Sequence, residues 1–334
     1  MGANSRIVVN RSGGPDVLEF VDAPMPVAAA GQVVIRVEAV GVAFADVVMR
    51  LGLYPGVGMP FTPGYEVVGT VVEGDGIAHA TRVAALTVTG GYGRFTAVAA
   101  ADCVPVPDGL TSPQAAALVL NGLTAFQMLT RCVARPSVER MLVWGAAGGV
   151  GSLLLELGRH FGIATYGVAS GARLERVRAH GATSIDRDGD VLAQVQRLSG
   201  GGVDAVFDGV GGTASATSFA ALRSGGQAVL FGFQGGLSGG TRNPLRLAKA
   251  FLGSPRKTAQ AIFMSNRGWR GYVVTDWKTT HPDFYRTDLA EVFALAAAGK
   301  ITPVVDRELP LAAAAEAHRL MGAGTNLGKI VLIP

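Results

Sequence analysis

Three glycines at three-residue spacing follow the apolar residues MLVW in the stretch MLVWGAAGGVGSLLLELG at residues 141–158. They are Gly145, Gly148 and Gly151, and apolar side chains then recur at the three- and four-residue spacing of one helix face. A strand, a glycine turn and a helix N-terminus in this order bind the pyrophosphate of a dinucleotide through backbone N–H groups. The alternative is a turn that packs a strand on a helix without a ligand. Because the chain has 47 glycines, the triplet is informative only in this setting.

The residues after the next apolar strand indicate which dinucleotide would bind. An NAD site usually has an acidic residue about 20 positions after the glycine turn, where it binds the ribose 2′-hydroxyl. The corresponding segment here, YGVASGARLER, supplies Ser170 and Arg173 and no acid at the strand end. A guanidinium donates paired hydrogen bonds to a phosphate dianion, whereas a carboxylate repels it. The segment favours NADPH; the alternative is that Arg173 is a solvated residue of the next helix.

Length and composition indicate a globular protein with about two domains. Of the 334 residues, 49% are hydrophobic and 16% are charged, which excludes a disordered chain. The net charge of +4 is modest, and no aromatic–basic motif or DNA-reading helix accompanies it, so nucleic acid binding is not expected. The longest uncharged stretch, residues 109–130, contains a proline and several amide side chains, and it predicts a core helix rather than a membrane span.

Two features predict a cytoplasmic protein. The amino terminus, MGANSRIVVNRSGG, shows no apolar signal core. Cys103 and Cys132 lie in apolar surroundings without a spacing motif, which suits a reducing compartment.

The residue pattern changes about a third of the way along the chain. Before that point, short Val-, Ile- and Thr-rich segments bounded by Gly or Pro predict β-strands with one short helix among them. A helix over 115–129 follows, with Ser112 as its expected cap and Pro113 at its first position. Apolar strands then alternate with helices, which predicts a doubly wound parallel sheet. Residues 271–274, GYVV, are expected to add a last strand.

Several kinds of chemistry have no residues to support them. The histidines fall singly and far apart, and neither cysteine pairs with one at ligand spacing, so no metal site is expected. The histidines are His79, His160, His180, His281 and His318. There is no G-x-S-x-G elbow and no phosphate-binding lysine loop, which argues against a hydrolase or a P-loop kinase. Hydride transfer remains, because the nicotinamide supplies that chemistry and the protein orients it.

Motifs along the whole chain resemble one family. They are GLYPG, TPGYEVVG, ALVLNGLTAFQML, WGAAGGVG, VDAVFDGVGG and NLGKIVLIP, in this order. The chain resembles the zinc-free medium-chain dehydrogenase/reductases, specifically the zeta-crystallin-like quinone oxidoreductases and the related vesicle-amine-transport-protein branch. The resemblance implies an α/β fold, in which a GroES-like β-rich catalytic domain (1–120 and 277–334) flanks a doubly wound Rossmann domain (121–276). It also implies a homodimer formed by pairing Rossmann edge strands such as 271–274.

The resemblance also implies which residues hold the cofactor and argues against zinc. Zinc-dependent relatives have a cysteine and a histidine where this chain has Ala43 and Tyr65, and the four-cysteine lobe is missing. The residues matched to pyrophosphate binding are Gly148, Gly149 and Val150, and those matched to the 2′-phosphate are Ser170 and Arg173. Those matched to the nicotinamide end are Val210, Phe231, Phe233 and Asn326, with Thr124 beside them at the domain junction. Asn326 has an alternative role as a turn residue before the last strand.

Three positions depart from the family pattern. The family often has Asn where this chain has Ala43, and Tyr where it has Val48. It also often has a Tyr near the adenine where this chain has Arg187. The first two changes remove polar groups from the expected active site, which leaves Tyr54 as the best candidate to orient a carbonyl or donate a proton. A tyrosine in a turn is as often a packing residue. Arg187 either adds a second cation beside the adenosine phosphates or faces solvent.

The segment between residues 242 and 278 is strongly basic, with Asp276 as its one acid. Its basic residues are Arg242, Arg246, Lys249, Arg256, Lys257, Arg267, Arg270 and Lys278. The simpler interpretation is a solvated basic face. The alternative is docking of an acidic carrier protein or of an anionic membrane surface, with Trp269, Tyr272 and Trp277 at a hydrophobic substrate entrance.

These observations predict an NADPH-dependent reductase of a quinone or an α,β-unsaturated carbonyl compound, with no transmembrane segment. Two alternatives stay open. One is a biosynthetic enoyl reductase that acts on one dedicated intermediate, free or carrier-bound. The other is an NADPH-binding scaffold protein without turnover, which the changes at Ala43 and Val48 would permit.

Overall fold

The computed structural model describes residues 4–236, 253, 255 and 257–334. The strands are β1 Asn4–Val9, β2 Leu18–Ala23, β3 Gln32–Gly41, β4 Glu66–Gly74, β5 Arg82–Leu86, β6 Phe95–Ala99, β7 Val104–Pro105, β8 Arg140–Trp144, β9 Ala164–Ala169, β10 Thr183–Asp186, β11 Val203–Asp208, β12 Leu222–Leu230, β13 Gly268–Gly271, β14 Val305–Pro310 and β15 Lys329–Ile333. The α-helices of these residues are α1 Phe44–Arg50, α2 Ser112–Gln127, α3 Gly149–His160, α4 Arg173–Ala179, α5 Val191–Ser199, α6 Thr213–Ala220, α7 Ala259–Ser265, α8 Val274–Thr280, α9 Pro282–Ala297 and α10 Ala314–Ala323.

The middle of the chain forms the predicted doubly wound sheet. Its six strands lie in the order β10-β9-β8-β11-β12-β13, and every neighbouring pair is parallel. Strand β9 has no charged residue and β8 has one, at its first position, as expected for central strands with helices on both faces. The order reverses between β8 and β11, and ligands of open α/β sheets bind beside the carboxyl ends of the strands at this point.

Both ends of the chain form the second sheet. Its seven strands follow the order β14-β15-β3-β4-β5-β7, with β6 paired to β3. The C-terminal strand β15 joins the N-terminal part where Val331 pairs with Gly41 in antiparallel register. This arrangement agrees with the β-rich domain that the resemblance implied from both chain ends, while the exact boundaries 1–120, 121–276 and 277–334 stay predictions.

Helix α2 lies between the two sheets and contacts β3, β4, α3 and α9. Its cap is Thr111 rather than the expected Ser112, because the Thr111 hydroxyl accepts a hydrogen bond from Gln114 N and the Gln114 side chain accepts one from Thr111 N. Ser112 instead donates to Glu38 at 2.7 Å. A π-helical turn, Met128–Cys132, continues the helix. None of the described helices is long and apolar enough to cross a membrane.

The prediction of a strand at 271–274 is wrong by three residues. Strand β13 is Gly268–Gly271, in register with the last residues of β12. Trp269 stacks on Phe219 with ring centroids 5.4 Å apart, which fixes this register. Because β12 ends at Leu230, no backbone remains to pair with residues beyond Tyr272, and helix α8 begins there instead.

We expect Gly151→Ala to lower the free energy of unfolding by about 1–3 kcal/mol. A methyl group on Gly151 would overlap the Gly145 carbonyl oxygen and lie 2.7 Å from Ala146 Cα, and these backbone atoms cannot rotate away. Urea unfolding measures the change. Gly58→Ala is the matched control, because nothing lies within 4 Å of that position and its free energy of unfolding should change by no more than about 0.5 kcal/mol. Equal losses of free energy of unfolding in the two variants would contradict the close approach of Gly151 to the backbone of Gly145 and Ala146.

Candidate active site

A cleft of about 440 Å³ lies at the carboxyl ends of the parallel strands. Its walls include the residues that follow or end β8, β9, β11 and β12, together with the Val42–Phe44 segment and the segment before β15. The cleft therefore lies where the strand order of the Rossmann-like sheet reverses and where the second sheet meets it. This is the position that a dinucleotide site of this fold requires.

The glycine turn forms one wall of the cleft. Gly148 is the N-cap of the twelve-residue helix α3, and Gly148, Gly149 and Val150 all line the cleft. The Asn121 side chain of α2 packs directly against Gly149, so any larger residue at 149 would collide with it. Backbone N–H groups at the start of α3 have no partner inside the helix and face the space that a pyrophosphate would fill.

The segments after β9 and β10 supply the cationic part of the cleft. Ser170 and Arg173 follow β9, Arg187 follows β10, and all three line the cleft. Arg187 Nε also lies 3.6 Å from the Asp188 carboxylate. The Arg173 guanidinium donates to the Gly324 carbonyl in the segment before β15, and its planar group has further N–H donors available for a second acceptor. Among the described lining residues three are basic and none is acidic. The electrostatic environment therefore suits a phosphate dianion better than a bare ribose hydroxyl.

Three more predicted residues line the cleft: Val210, Phe231 and Asn326. Asp208 holds the Val210 loop, because its carboxylate is fully buried and accepts hydrogen bonds from Val210 N at 2.9 Å and Gly211 N at 3.0 Å. The same carboxylate accepts from the hydroxyls of two serines of α6, each at 2.9 Å. Asn326 donates to the Gly328 carbonyl at 2.7 Å, so it both lines the cleft and shapes the turn before β15.

Three predicted residues do not line the cleft. Phe233 is about half exposed, beside Gly211. Thr124 is buried on α2, one helical turn from Asn121. Tyr54 is half-buried, and its hydroxyl lies 2.8 Å from the Tyr65 hydroxyl.

Lys329 and Glu66 form a buried ion pair at the cleft wall. Both side chains are almost fully excluded from solvent, and Lys329 lines the cleft. Glu66 also accepts a hydrogen bond from Leu120 N of α2. The pair thereby joins β4, β15 and α2 at one point, and Glu66 neutralises the lysine. Of the two arginines that line the cleft, Arg187 has an exposed carboxylate partner, Asp188, and Arg173 is bonded to a neutral carbonyl.

Asp46 connects the cleft wall to the loop before β4. Its fully buried carboxylate accepts hydrogen bonds from Ala43 N and Gly64 N, each at 2.9 Å, and from the Tyr92 hydroxyl at 3.4 Å. Burial raises the pKa of Asp46 to about 7, against the opposing effect of the two backbone hydrogen bonds. The nearby His318 ring, bonded to Tyr92, has its pKa lowered by burial to about 3 and is neutral.

The positions matched to zinc ligands do not fit a zinc ion. The methyl group of Ala43 has no donor atom, and the Tyr65 hydroxyl is hydrogen-bonded to Tyr54. Among the residues that the structure describes, no three His, Cys, Asp or Glu side chains are grouped to hold a metal.

Sequence reasoning missed five residues that shape the cleft: Asp46, Glu66, Asn121, Asp208 and Lys329. Each is a polar residue within or beside an apolar run. That pattern alone marks such a residue as one that needs a buried partner, but it does not identify the partner.

Comparisons with known proteins agree with this architecture. The profile of the alcohol dehydrogenase GroES-like domain matches residues 29–108, and that of the zinc-binding dehydrogenases matches residues 180–332. The synaptic vesicle membrane protein VAT-1 homolog of Rattus norvegicus is 31% identical over 98% of this chain and 83% of its own. A quinone oxidoreductase of Pseudomonas aeruginosa is 30% identical over 98% of this chain and 99% of its own.

The chain belongs to the zinc-free medium-chain dehydrogenase/reductase family. A mycobacterial member solved in complex with NADPH superposes with a TM-score of 0.86 at 32% identity, over 99% of this chain and 100% of that one. The spectinabilin polyketide synthase protein NorB of Streptomyces orinoci contains a similar segment, 34% identical over 96% of this chain but only 14% of that protein. The family and the fold class predicted from the sequence are therefore confirmed.

We expect the raised pKa of Asp46 to appear in the pH dependence of the free energy of unfolding. A carboxyl with a raised folded-state pKa holds its proton in the folded protein between about pH 4 and 7, where the unfolded chain has lost it, so stability falls as the pH rises through this range. The fully developed slope is about 1.4 kcal/mol per pH unit.

The measurement is the free energy of unfolding of the wild type minus that of Asp46→Asn at several pH values. The subtraction removes the opposing contribution of His318, whose lowered folded-state pKa makes stability fall toward acid pH. A difference that declines from about pH 4.5 to 7 is expected, and a constant difference would contradict the buried protonated carboxyl.

Proposed function

We propose that this protein is an NADPH-dependent reductase of quinones or α,β-unsaturated carbonyl compounds. The observation that carries the proposal is the cleft behind the glycine turn, whose described lining has arginines after β9 and β10 and no carboxylate. A family member bound to NADPH and another named as a quinone oxidoreductase support both the cofactor and the class of reaction.

The adenosine end of NADPH would lie against the residues after β9. Ser170 offers a hydroxyl, and Arg173 and Arg187 offer guanidinium groups on one side of the cleft. Charge-assisted hydrogen bonds to a phosphate contribute about 1.5–3 kcal/mol each, enough to discriminate strongly against NADH. The glycine turn and the start of α3 would hold the pyrophosphate.

When bound, NADPH supplies a hydride to the electrophilic carbon of the substrate. The chain's own residues orient the reactants: Asp208 fixes the loop of Val210, and Phe231 closes the same wall with an apolar face. A proton must then reach the oxygen on which negative charge collects. Tyr54 is the candidate donor, because its ring packs against the hydrophobic cluster that contains Ala43 of the cleft wall.

We expect Arg173→Ala to raise the KM for NADPH about 10- to 100-fold and to leave kcat and the KM for NADH nearly unchanged. The reason is that the guanidinium would bind only the 2′-phosphate, which NADH lacks. Initial rates of coenzyme oxidation with a small panel of quinones and enones measure both constants.

Arg176→Ala is the matched control. Arg176 lies on the same helix and also donates to a carbonyl before β15, that of Leu327, but it does not line the cleft. An unchanged preference for NADPH over NADH in Arg173→Ala would contradict the assignment of the 2′-phosphate site. NADPH binding with no turnover across a broad panel would instead favour the scaffold alternative.

One observation favours a dedicated biosynthetic substrate as the second candidate function. The similar segment of a polyketide synthase protein suggests reduction of a carrier-bound enoyl group. Four of the basic residues predicted to dock a carrier lie outside the described residues: Arg242, Arg246, Lys249 and Arg256. Of the others, Lys278 is bonded to Asp102 at 2.6 Å and Arg267 donates to the Phe219 carbonyl. Rate dependence on a carrier protein would distinguish this function.

The expected substrate entrance of three aromatic residues is not one surface. Trp269 stacks on Phe219, whereas Trp277 packs beside the buried Tyr272 with centroids 6.0 Å apart.

A cytoplasmic location remains part of the proposal. It is supported by the two free, buried cysteines, Cys103 and Cys132.

The proposal includes a homodimer. Strand β13 is the last strand of the parallel sheet, so its outer edge has no neighbour among the described strands. Phe263 and Met264 on the preceding helix α7 are 80% and 74% exposed, and Val273 just after the strand is 57% exposed. An open strand edge bordered by apolar side chains suits a second copy of the same edge, because two-fold pairing covers both at once.

We expect light scattering to give a mass of twice the 34.3 kDa of one chain. Phe263→Glu should shift the protein toward the monomer, because the charge would be buried in the interface. Val27→Glu, at a site 76% exposed in the N-terminal part, is the control and should stay dimeric. A wild type that already has the mass of one chain would contradict the proposal.

A further inference from the structure

Two phenols form a hydrogen-bonded pair in the hydrophobic cluster that also contains Ala43, a residue of the cleft wall. The Tyr54 and Tyr65 hydroxyl oxygens are 2.8 Å apart, with the rings edge to face at 73° and centroids 6.2 Å apart. Tyr65 is 3% exposed, whereas Tyr54 is only partly buried. The inner phenol is therefore fixed in the protein interior, and the outer one faces accessible space.

Burial of Tyr65 favours one direction for this bond. Burial raises the pKa of the Tyr65 hydroxyl well above its usual range, so this phenol keeps its proton at neutral pH. A buried hydroxyl donor needs an acceptor inside the protein, and the Tyr54 oxygen lies 2.8 Å away. A bond donated by Tyr65 leaves the Tyr54 proton for another acceptor.

The pair is held against the cleft wall by Asp46. Its two carboxylate oxygens accept from Ala43 N, in the segment that lines the cleft, and from Gly64 N, the residue immediately before Tyr65. The Tyr65 carbonyl also accepts from Thr87 N and Val88 N, at 2.9 and 3.1 Å. The backbone at Tyr65 is thus fixed on both sides, which gives its ring one position.

We infer that Tyr65 is a positioning residue that donates to the Tyr54 oxygen and so directs the Tyr54 proton toward the carbonyl oxygen of a bound substrate. The inference rests on the proposed reductase function. It assigns to the buried Tyr65 the task of orienting the proton donor.

The proton step balances without any further reactant. Hydride addition forms a C–H bond at the electrophilic carbon of an enone, and the electrons of the C=C bond move to the carbonyl oxygen. The Tyr54 O–H bond then breaks, its proton bonds to that oxygen to give the enol, and its electron pair stays on the Tyr54 oxygen. The hydrogen bond from Tyr65 stabilises this oxygen until solvent returns a proton.

The test compares Tyr65→Phe, Tyr54→Phe and the double variant, each of which removes a hydroxyl and keeps the ring. The control is Tyr285→Phe, because Tyr285 is also a buried phenol and donates to the Asp102 carbonyl at 2.8 Å, away from Tyr54. It should lose stability with little change in kcat. Thermal unfolding of every variant separates loss of fold from loss of function.

We expect Tyr65→Phe to lower kcat for an enone about tenfold, a part of the 10²- to 10⁴-fold that a general acid contributes. The KM for NADPH should not change, and the solvent deuterium isotope effect on kcat should grow. Tyr54→Phe and the double variant should be equally slow, because Tyr65 acts only through Tyr54. In protein labelled with ¹³C at the phenolic tyrosine carbons, Tyr65→Phe should shift the Tyr54 resonance before any substrate is added.

Different results would overturn different claims. An active wild type with unchanged kcat in Tyr65→Phe, or additive losses in the double variant, would overturn the positioning role and leave the reductase function standing. An unshifted Tyr54 resonance would do the same without any activity measurement. A wild type that oxidises NADPH with no quinone or enone would overturn the proposed function itself.

Discussion

The start of helix α3 lies in direct contact with the backbone of the loop that ends β8, and the rest of the site depends on this contact. Gly151 permits it, since any side chain there would overlap Gly145 and Ala146. The helix N-terminus is thereby brought to the carboxyl edge of the sheet, where the first N–H groups of α3 face the cleft. A second glycine, Gly149, lets Asn121 of α2 approach the same turn, so the helix between the two sheets also packs against the phosphate-binding loop.

Buried carboxylates hold the other walls. Asp208 accepts two backbone and two side-chain hydrogen bonds, Asp46 joins the Ala43 and Gly64 segments, and Glu66 pairs with Lys329. A carboxyl group removed from water is costly unless hydrogen bonds or an opposite charge satisfy it. Each of these groups therefore adopts one arrangement, and the loops bonded to it are fixed in position. The cleft is built from loops that such groups hold.

The sequence predicted the parts of the site that are local along the chain. The glycine turn, Ser170 and Arg173 could be located because their neighbours form a continuous strand, turn and helix. The pairing of Glu66 with Lys329 could not, because the two residues come from opposite ends of the chain and meet only after both ends join one sheet. The position of β13 along the chain was predicted wrongly for a similar reason, since the end of β12 and the stacking of Trp269 determine it. Tyr65 appeared only as a residue in place of a zinc ligand, and its role depends on the distance to Tyr54.

We propose that the cleft selects a nucleotide by its 2′-phosphate. Calorimetric titration of the wild-type protein with adenosine 2′,5′-bisphosphate and with adenosine 5′-monophosphate is the most direct test, because neither ligand carries the nicotinamide or requires turnover. The bisphosphate should bind at least about tenfold more tightly, a difference of about 1.4 kcal/mol, and this advantage should shrink as salt screens the guanidinium groups. Equal affinities at low salt would contradict it.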